Sequence, residues 1–222
     1  MTREQVVSAI FSIGIVPVVR TGSAESAIRC VQAIHRGGIR AAEIPMTVPG
    51  AVHVLEKIAD QFGDDMVLGA GTVLDGETAR ACVLAGAQFI FAPCFRSETI
   101  EIAKRYSRAV MPGALTPTEV VTAWESGADA VRILPCDAMG GVRYIRSLRA
   151  PFPHIEMIAT GGITLDNIGD YVRAGARAVG VTGALIDSAS LRDGNYEVFA
   201  VRASRFMEAI RRAREILHEV SA

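Results

Sequence analysis

Short apolar runs alternate with longer amphipathic stretches along the whole chain. Eight runs have the character of buried strands, at 14–19, 40–44, 66–69, 88–92, 109–112, 130–134, 155–160 and 177–181. A stretch with helical spacing follows each run, at 24–36, 51–62, 77–85, 98–106, 117–124, 143–148, 165–174 and 197–220. A further helix is predicted at 1–11. The pattern therefore predicts eight strand–helix units behind one leading helix.

A glycine recurs at the junction between a helix and the next strand. Gly38, Gly86, Gly127 and Gly175 each end an amphipathic stretch just before an apolar run, a position where glycine commonly stops a helix. Eight such units predict a (β/α)₈ TIM barrel with an extra N-terminal helix, forming one domain over 1–222. A doubly wound open sheet is the alternative, but residues 19–23 match its glycine-rich turn poorly.

The composition argues against several classes of function. Half of the 222 residues are hydrophobic and the formal net charge is −1, which predicts no contact with nucleic acid or an anionic membrane. No apolar run reaches the roughly 20 residues of a spanning helix, and residues 1–10 lack a signal-peptide layout, so we expect a cytoplasmic protein. The cysteines lack metal-site spacing and are expected to be reduced and mostly buried: Cys30, Cys82, Cys94 and Cys136.

Polar side chains and glycines concentrate at the carboxyl ends of the predicted strands, where (β/α)₈ barrels carry their active sites. Several glycine-bearing ends, with Glu, Arg and Thr among them, favour a binding site over simple turns. The candidates are Arg20, Glu43, Thr47, Gly71, Thr72, Pro93, Arg132, Thr160, Gly161, Gly162, Thr182 and Gly183.

Arg132 and Glu43 are lone charges near the ends of apolar strands. A permanent cation there is costly unless it is paired or used. Both residues lie on even-numbered strands, whose side chains share layers inside a barrel, so the two should meet. Glu43 is a candidate general base, or else the structural ion-pair partner of Arg132.

The remaining candidates each admit two interpretations. Arg20 is either a carboxylate clamp or a solvated charge, and Thr72 and Thr160 either bind a ligand or serve turns. The loops at 161–162 and 182–183 precede helices, which predicts an anion site for either a phosphate or a carboxylate.

These residues resemble the bacterial 2-keto-3-deoxy-6-phosphogluconate and 4-hydroxy-2-oxoglutarate aldolases, which include phosphogalactonate-cleaving relatives. The matching motifs run in order along almost the whole chain: 16–20 (Val-Pro-Val-Val-Arg), 43–45 (Glu-Ile-Pro), 69–74 (Gly-Ala-Gly-Thr-Val-Leu), 85–89, 112–113, 140–142 and 159–163 (Ala-Thr-Gly-Gly-Ile).

The resemblance implies a class I aldolase that acts on a small keto acid as a homotrimer, without a metal or other cofactor. In that family a lysine on the sixth strand forms a Schiff base, and the glutamate matching Glu43 moves protons through a water. The position matching Thr72 contacts the substrate carboxylate, as that of Arg20 is also expected to do. The loops matching 161–162 and 182–183 hold the distal phosphate.

The chain departs from the family pattern at the sixth strand. Residues 132–135 read Arg-Ile-Leu-Pro where the family has Lys-hydrophobic-Phe-Pro, and the chain's two lysines, Lys57 and Lys104, lie in helical patterns. Arginine cannot form a Schiff base because its guanidinium stays protonated. Thr47 and Ala184 also replace residues that are common in the family, an Arg or Asn and a Ser.

Three functions are consistent with this departure. The first is a carbon–carbon lyase that releases pyruvate from a 2-keto-3-deoxy (phospho)sugar acid or from 4-hydroxy-2-oxoglutarate, with Arg132 polarising the ketone and Glu43 acting as base. The second is a non-catalytic protein that binds keto acids or phosphate. The third is an enolising enzyme, such as an isomerase or a decarboxylase.

Overall fold

Eight parallel strands form the centre of the protein in the computed structural model, which describes the backbone of residues 1–221. They are β1 (Ile15–Pro17), β2 (Ala41–Pro45), β3 (Val67–Gly71), β4 (Phe89–Phe91), β5 (the segments Ala109–Met111 and Gly113–Ala114), β6 (Val131–Ile133), β7 (Met157–Thr160) and β8 (Ala178–Val181). Each of the eight apolar runs contributes one of these strands, so the strand predictions are confirmed.

The strands close on themselves. The hydrogen-bonded order runs β1, β8, β7, β6 and the second segment of β5, then through Pro112 into the first segment of β5, β4, β3 and β2. The seam between β1 and β2 is joined by the Val19 N–H, which donates to the Glu43 carbonyl at 2.9 Å. A closed barrel confirms the predicted fold class, and the open-sheet alternative is wrong.

Ten helices surround the barrel and cover its floor. They are α1 (Arg3–Ile13), α2 (Ala24–Arg36), α3 (Ala51–Phe62), α4 (Gly76–Leu84), α5 (Ser97–Arg105), α6 (Pro117–Glu125), α7 (Val142–Arg149), α8 (Ile168–Arg173), α9 (Ser188–Arg192) and α10 (Glu197–Ser221) within residues 1–221. The four recurring glycines follow α2, α4, α6 and α8 with φ between +89° and +98°. Only glycine adopts that conformation without strain, which explains the repeat.

Two local features differ from the sequence predictions. The helix expected to begin at residue 165 begins at Ile168, because the Asn167 side chain accepts from the Thr164 N–H and donates to the Gly162 carbonyl, which holds residues 162–167 in a turn. Helix α9 was not predicted, since five residues are too few to show a helical period. Its first turn is held by Asp187, whose carboxylate accepts from the Ser190 N–H.

Helix α1 closes the amino-terminal end of the barrel. Val6 and Ile10 on this helix pack into the same buried apolar cluster as Phe89, Phe91 and Ile158 from the strands. A capping box between Thr2 and Gln5 fixes where the helix begins. The floor is therefore sealed by apolar contacts, and the polar strand ends lie at the opposite face. Across residues 1–221, no helix is both long and apolar enough to span a bilayer. The single domain over 1–222 stays a prediction.

Candidate active site

A buried ion pair lies inside the barrel mouth. Strand β6 directs Arg132 and strand β2 directs Glu43 to the interior, and Arg132 Nη1 donates to Glu43 Oε2 at 3.0 Å. The Arg132 side chain is 5% exposed and that of Glu43 is 1% exposed, so bulk water does not screen the pair. This contact confirms the prediction that the two charges meet.

Two further groups hold the guanidinium of Arg132. Its Nε donates to the buried hydroxyl of Thr160 at 3.1 Å, and its central carbon lies 4.6 Å from the centroid of the Phe91 ring. A cation over an aromatic face at this distance is attracted by the ring quadrupole. The ion pair with Glu43, the hydroxyl of Thr160 and the ring of Phe91 together fix the orientation of the guanidinium plane. The sequence does not single out Phe91, because it reads as one more apolar residue of β4.

Glycines make room for these polar side chains. A Cβ at Gly71 would overlap Glu43 Oε1, and a Cβ at Gly180 would overlap Thr160 Oγ1. Gly71, predicted to bind substrate, thus also provides the space that the Glu43 carboxylate occupies. Gly180 lies within the apolar run of β8 and was not predicted as part of the site.

Four of the other candidates form the rim of the mouth. Arg20 and Thr47 are exposed beyond β1 and β2, while Thr72 and Pro93 are half-buried beyond β3 and β4. Thr72 has φ +57°, a left-handed conformation that costs energy for a β-branched residue and that clusters at functional sites. The structure brings the rim residues to the same face as Arg132, and their roles in binding stay predictions.

The loops after β7 and β8 complete this face. Gly161 and Gly162 have φ +111° and +66°, and Thr182 and Gly183 follow β8 directly. Among the described residues, none accepts a hydrogen bond from the N–H of Gly161, Gly162 or Gly183. These donors are free to bind a ligand, as the predicted anion site requires.

The lysines and the three buried thiols contribute little at this face. Lys57 and Lys104 are exposed on α3 and α5, and Lys104 reaches the Ser126 carbonyl just beyond α6, at the opposite end of the barrel. Burial raises the pKa of the Cys136 thiol to about 11 and those of Cys30 and Cys82 to about 12, so these thiols stay protonated at neutral pH. Cys94 is exposed.

Known proteins resemble the chain along most of its length. The family described as "Aldolase: KDPG and KHG aldolase" matches residues 6–201. The 2-dehydro-3-deoxy-6-phosphogalactonate aldolase of Escherichia coli (strain K12) is 34% identical over 200 residues, covering 90% of this chain and 95% of that protein. The 2-dehydro-3-deoxy-phosphogluconate aldolase of Treponema pallidum (strain Nichols) is 28% identical, with coverages of 91% and 96%.

Solved structures also resemble the chain along most of its length. A native KDPGal structure is 34% identical and superposes with a TM-score of 0.84, covering 90% of this chain and 96% of that one. A chain of a cube-shaped protein cage, designed by fusing symmetric oligomeric domains, is 33% identical with a TM-score of 0.86, covering 94% of this chain and 76% of that one. The protein therefore belongs to the KDPG and KHG aldolase family.

Proposed function

We propose that this protein is a carbon–carbon lyase that releases pyruvate from a 2-keto-3-deoxy (phospho)sugar acid or from 4-hydroxy-2-oxoglutarate without a covalent intermediate. The observation that carries the proposal is the buried pair of Arg132 and Glu43, with Thr160 as a third polar group, inside the mouth of the barrel. The names of the relatives support the substrate class.

In this proposal Arg132 acts as an electrophilic catalyst rather than as a nucleophile. An arginine side chain carries no free amine, because its nitrogens belong to the delocalised guanidinium group, so Arg132 cannot form a Schiff base with the C2 ketone. It can donate hydrogen bonds to the C2 oxygen and stabilise the negative charge that develops there. Buried between Glu43, Thr160 and Phe91, the cation is already oriented, and it acts in surroundings that exclude water.

Glu43 moves the proton. Its carboxylate takes the proton from the C4 hydroxyl, the C3–C4 bond breaks, and the bonding electrons move to give the enolate of pyruvate, whose oxygen faces Arg132. The aldehyde leaves, and Glu43 returns the same proton to C3. No proton is gained or lost overall, and one buried acid–base group is sufficient for both transfers.

Substrate binding has to open the ion pair first. The keto acid brings a carboxylate and a ketone oxygen, which can take over hydrogen bonds that Arg132 now donates to Glu43. Glu43 is thereby released as a base only when substrate is present. Arg20, Thr47, Thr72 and Pro93 stand around the entrance, and we assign them to the carboxylate end of the substrate. Gly161, Gly162, Thr182 and Gly183 are assigned to its distal end.

A second candidate is a keto-acid-binding protein without activity. The observation that favours it is the direct contact between Arg132 and Glu43. A carboxylate that is paired with a buried guanidinium is unavailable as a base until that contact breaks. The two candidates differ in whether bound keto acid is turned over.

One experiment distinguishes these functions. The protein is incubated with 4-hydroxy-2-oxoglutarate and with 2-keto-3-deoxyhexonates, pyruvate is measured, and a parallel sample with pyruvate and borohydride is weighed by mass spectrometry. We expect slow pyruvate release and an unchanged mass. A borohydride-stable adduct would show that a lysine does serve and would refute the non-covalent route. Binding without pyruvate release would establish the second candidate.

We also propose that the chain assembles as a homotrimer. The supporting observations are the family membership and the likeness to a chain of a cage that was designed by fusing symmetric oligomeric domains. Light scattering coupled to size-exclusion chromatography should give about three times the 23.6 kDa chain mass. A mass of one chain that persists at high protein concentration would overturn this assignment.

A further inference from the structure

A cleft of about 850 Å³ lies at the floor of the barrel, on the outer side of α1 and at the opposite end from the candidate active site. Three arginines from distant parts of the chain line it: Arg149 at the end of α7, Arg177 just before β8 and Arg214 on α10. We call it the floor cleft. The sequence does not single out these arginines, because only the fold brings them to one place.

The three cations lie close together around Phe11. The central guanidinium carbon of Arg177 lies 5.0 Å from the centroid of the Phe11 ring, and Arg214 Nη2 donates to the Phe11 carbonyl at 2.6 Å. A Cβ at Gly175, two residues before Arg177, would lie 3.1 Å from Arg149 Nε. Burial lowers the pKa of Arg214, and the charge of Arg177 lowers that pKa further. Positive charge is therefore concentrated at one end of the floor cleft.

Carboxylates compensate this charge only in part. Within the part of the chain that the structure describes, Arg149 and Arg214 form no ion pair and donate only to backbone carbonyls. Most of their N–H groups therefore have no acceptor among the described residues. Arg177 lies 3.4 Å from Glu156, but the Arg177 side chain is 50% exposed and that of Glu156 is 32% exposed, so this pair is weak.

Two acids also line the floor cleft, but neither cancels the charge near Phe11. Asp129 is already engaged, since it accepts from Arg3 Nε at 2.9 Å and from the Val110 N–H at 2.8 Å. Glu4 is exposed in the first turn of α1. It precedes Phe11 by seven residues, which is about 10 Å along a helix. The acidic and the basic ends of the cleft are thus separated.

The basic end matches a doubly charged anion. A phosphate ester carries close to two negative charges at neutral pH, and its oxygens fit the planar donors of guanidinium groups. The cleft is larger than a phosphate group, and Val7, Phe11 and Val172 add apolar surface that an organic group can cover. We propose that the floor cleft is a second binding site, separate from the barrel mouth, that takes a small organic phosphate. This site does not depend on the proposed lyase function.

The test is an NMR titration of the full chain with phenyl phosphate and with benzoate, which has the same ring but a single charge. Phenyl phosphate should shift the amide signals of Gly175 and Ala176, which line the cleft. Its Kd from these signals should be lower than that of benzoate by about tenfold or more, because the second charge engages a second guanidinium. The amides of Gly161, Gly162 and Gly183 report binding at the mouth in the same spectra.

Variants show whether the arginines bind the phosphate. Arg149→Gln/Arg177→Gln should weaken binding of phenyl phosphate at the cleft by about tenfold or more. Arg146→Gln/Arg173→Gln is the matched control, because it removes the same charge from exposed positions of α7 and α8 outside the cleft, and it should leave the Kd within about twofold. Should the first variant fail to fold, Arg177→Gln alone changes a half-exposed side chain and should weaken binding by about threefold.

Four outcomes would overturn the proposal. They are shifts confined to the mouth, benzoate binding as tightly as phenyl phosphate at the cleft, a folded Arg149→Gln/Arg177→Gln variant (or, if that does not fold, Arg177→Gln) with unchanged affinity, and equal weakening in the control. The last result would mean that the net charge of the protein, rather than the floor cleft, attracts the anion.

Discussion

Replacing Arg132 by lysine is expected to raise the rate of pyruvate release by about two to four orders of magnitude, because the covalent route that arginine forbids becomes available. A lysine at this position would extend from β6 toward the carboxylate of Glu43 and the hydroxyl of Thr160, which now hold the guanidinium. Its amine can lose a proton in such a desolvated place, which the guanidinium cannot do. The shorter polar head would also leave Glu43 less firmly engaged.

The gain is measured as pyruvate formed from a 2-keto-3-deoxyhexonate by the variant and by the wild type. Borohydride trapping with pyruvate, followed by peptide mapping, should place the adduct at position 132. Arg132→Gln is the matched control, since it has neither an amine nor a cation and should fall below the wild-type rate. Equal rates for the lysine and glutamine variants, with the fold unchanged by circular dichroism, would mean that other residues of this site also no longer support the aldolase reaction.

The barrel could be predicted from sequence because each of its units carries its own local signals. A glycine ends the helix, a short apolar run forms the buried strand, and the same order recurs at Gly38, Gly86, Gly127 and Gly175. Parallel strands buried on both faces read as continuous apolar runs. The number of strand–helix units predicted a closed barrel rather than an open sheet. The elements that were misplaced or missed, at 165–167 and 188–192, are short and are governed by side-chain hydrogen bonds.

The central pair of the site was also predictable, whereas its surroundings were not. Arg132 and Glu43 stand out because each is a charge in an apolar run, and strand parity places both in the barrel interior. Phe91 and Gly180 have no such signal, since both faces of their strands are apolar and the sequence does not say which residues point inward.

Arg132→Met is expected to lower the free energy of unfolding by about 3–5 kcal/mol, because it leaves the Glu43 carboxylate buried without a partner. Methionine is unbranched and fills most of the same space, so the loss comes from the unpaired charge more than from a cavity. Urea unfolding of the wild type and the variant measures the difference. Arg20→Met removes the same charge at the same end of the barrel from an exposed side chain, and it should change the stability by less than about 0.5 kcal/mol.

The double variant Arg132→Met/Glu43→Gln separates stability from chemistry. With both charges gone, neither partner is left as an isolated buried ion, so more than half of the single-variant loss, about 2 kcal/mol or more, should be recovered. The double variant should nevertheless release no pyruvate, since it lacks both the cation and the base. A stable but inactive double variant would mean that the pair is kept for its chemistry, because a neutral pair holds the fold nearly as well. If instead Arg132→Met costs no more than Arg20→Met, the Glu43 carboxylate has another partner or reaches water, and the closed pair does not describe the protein in solution.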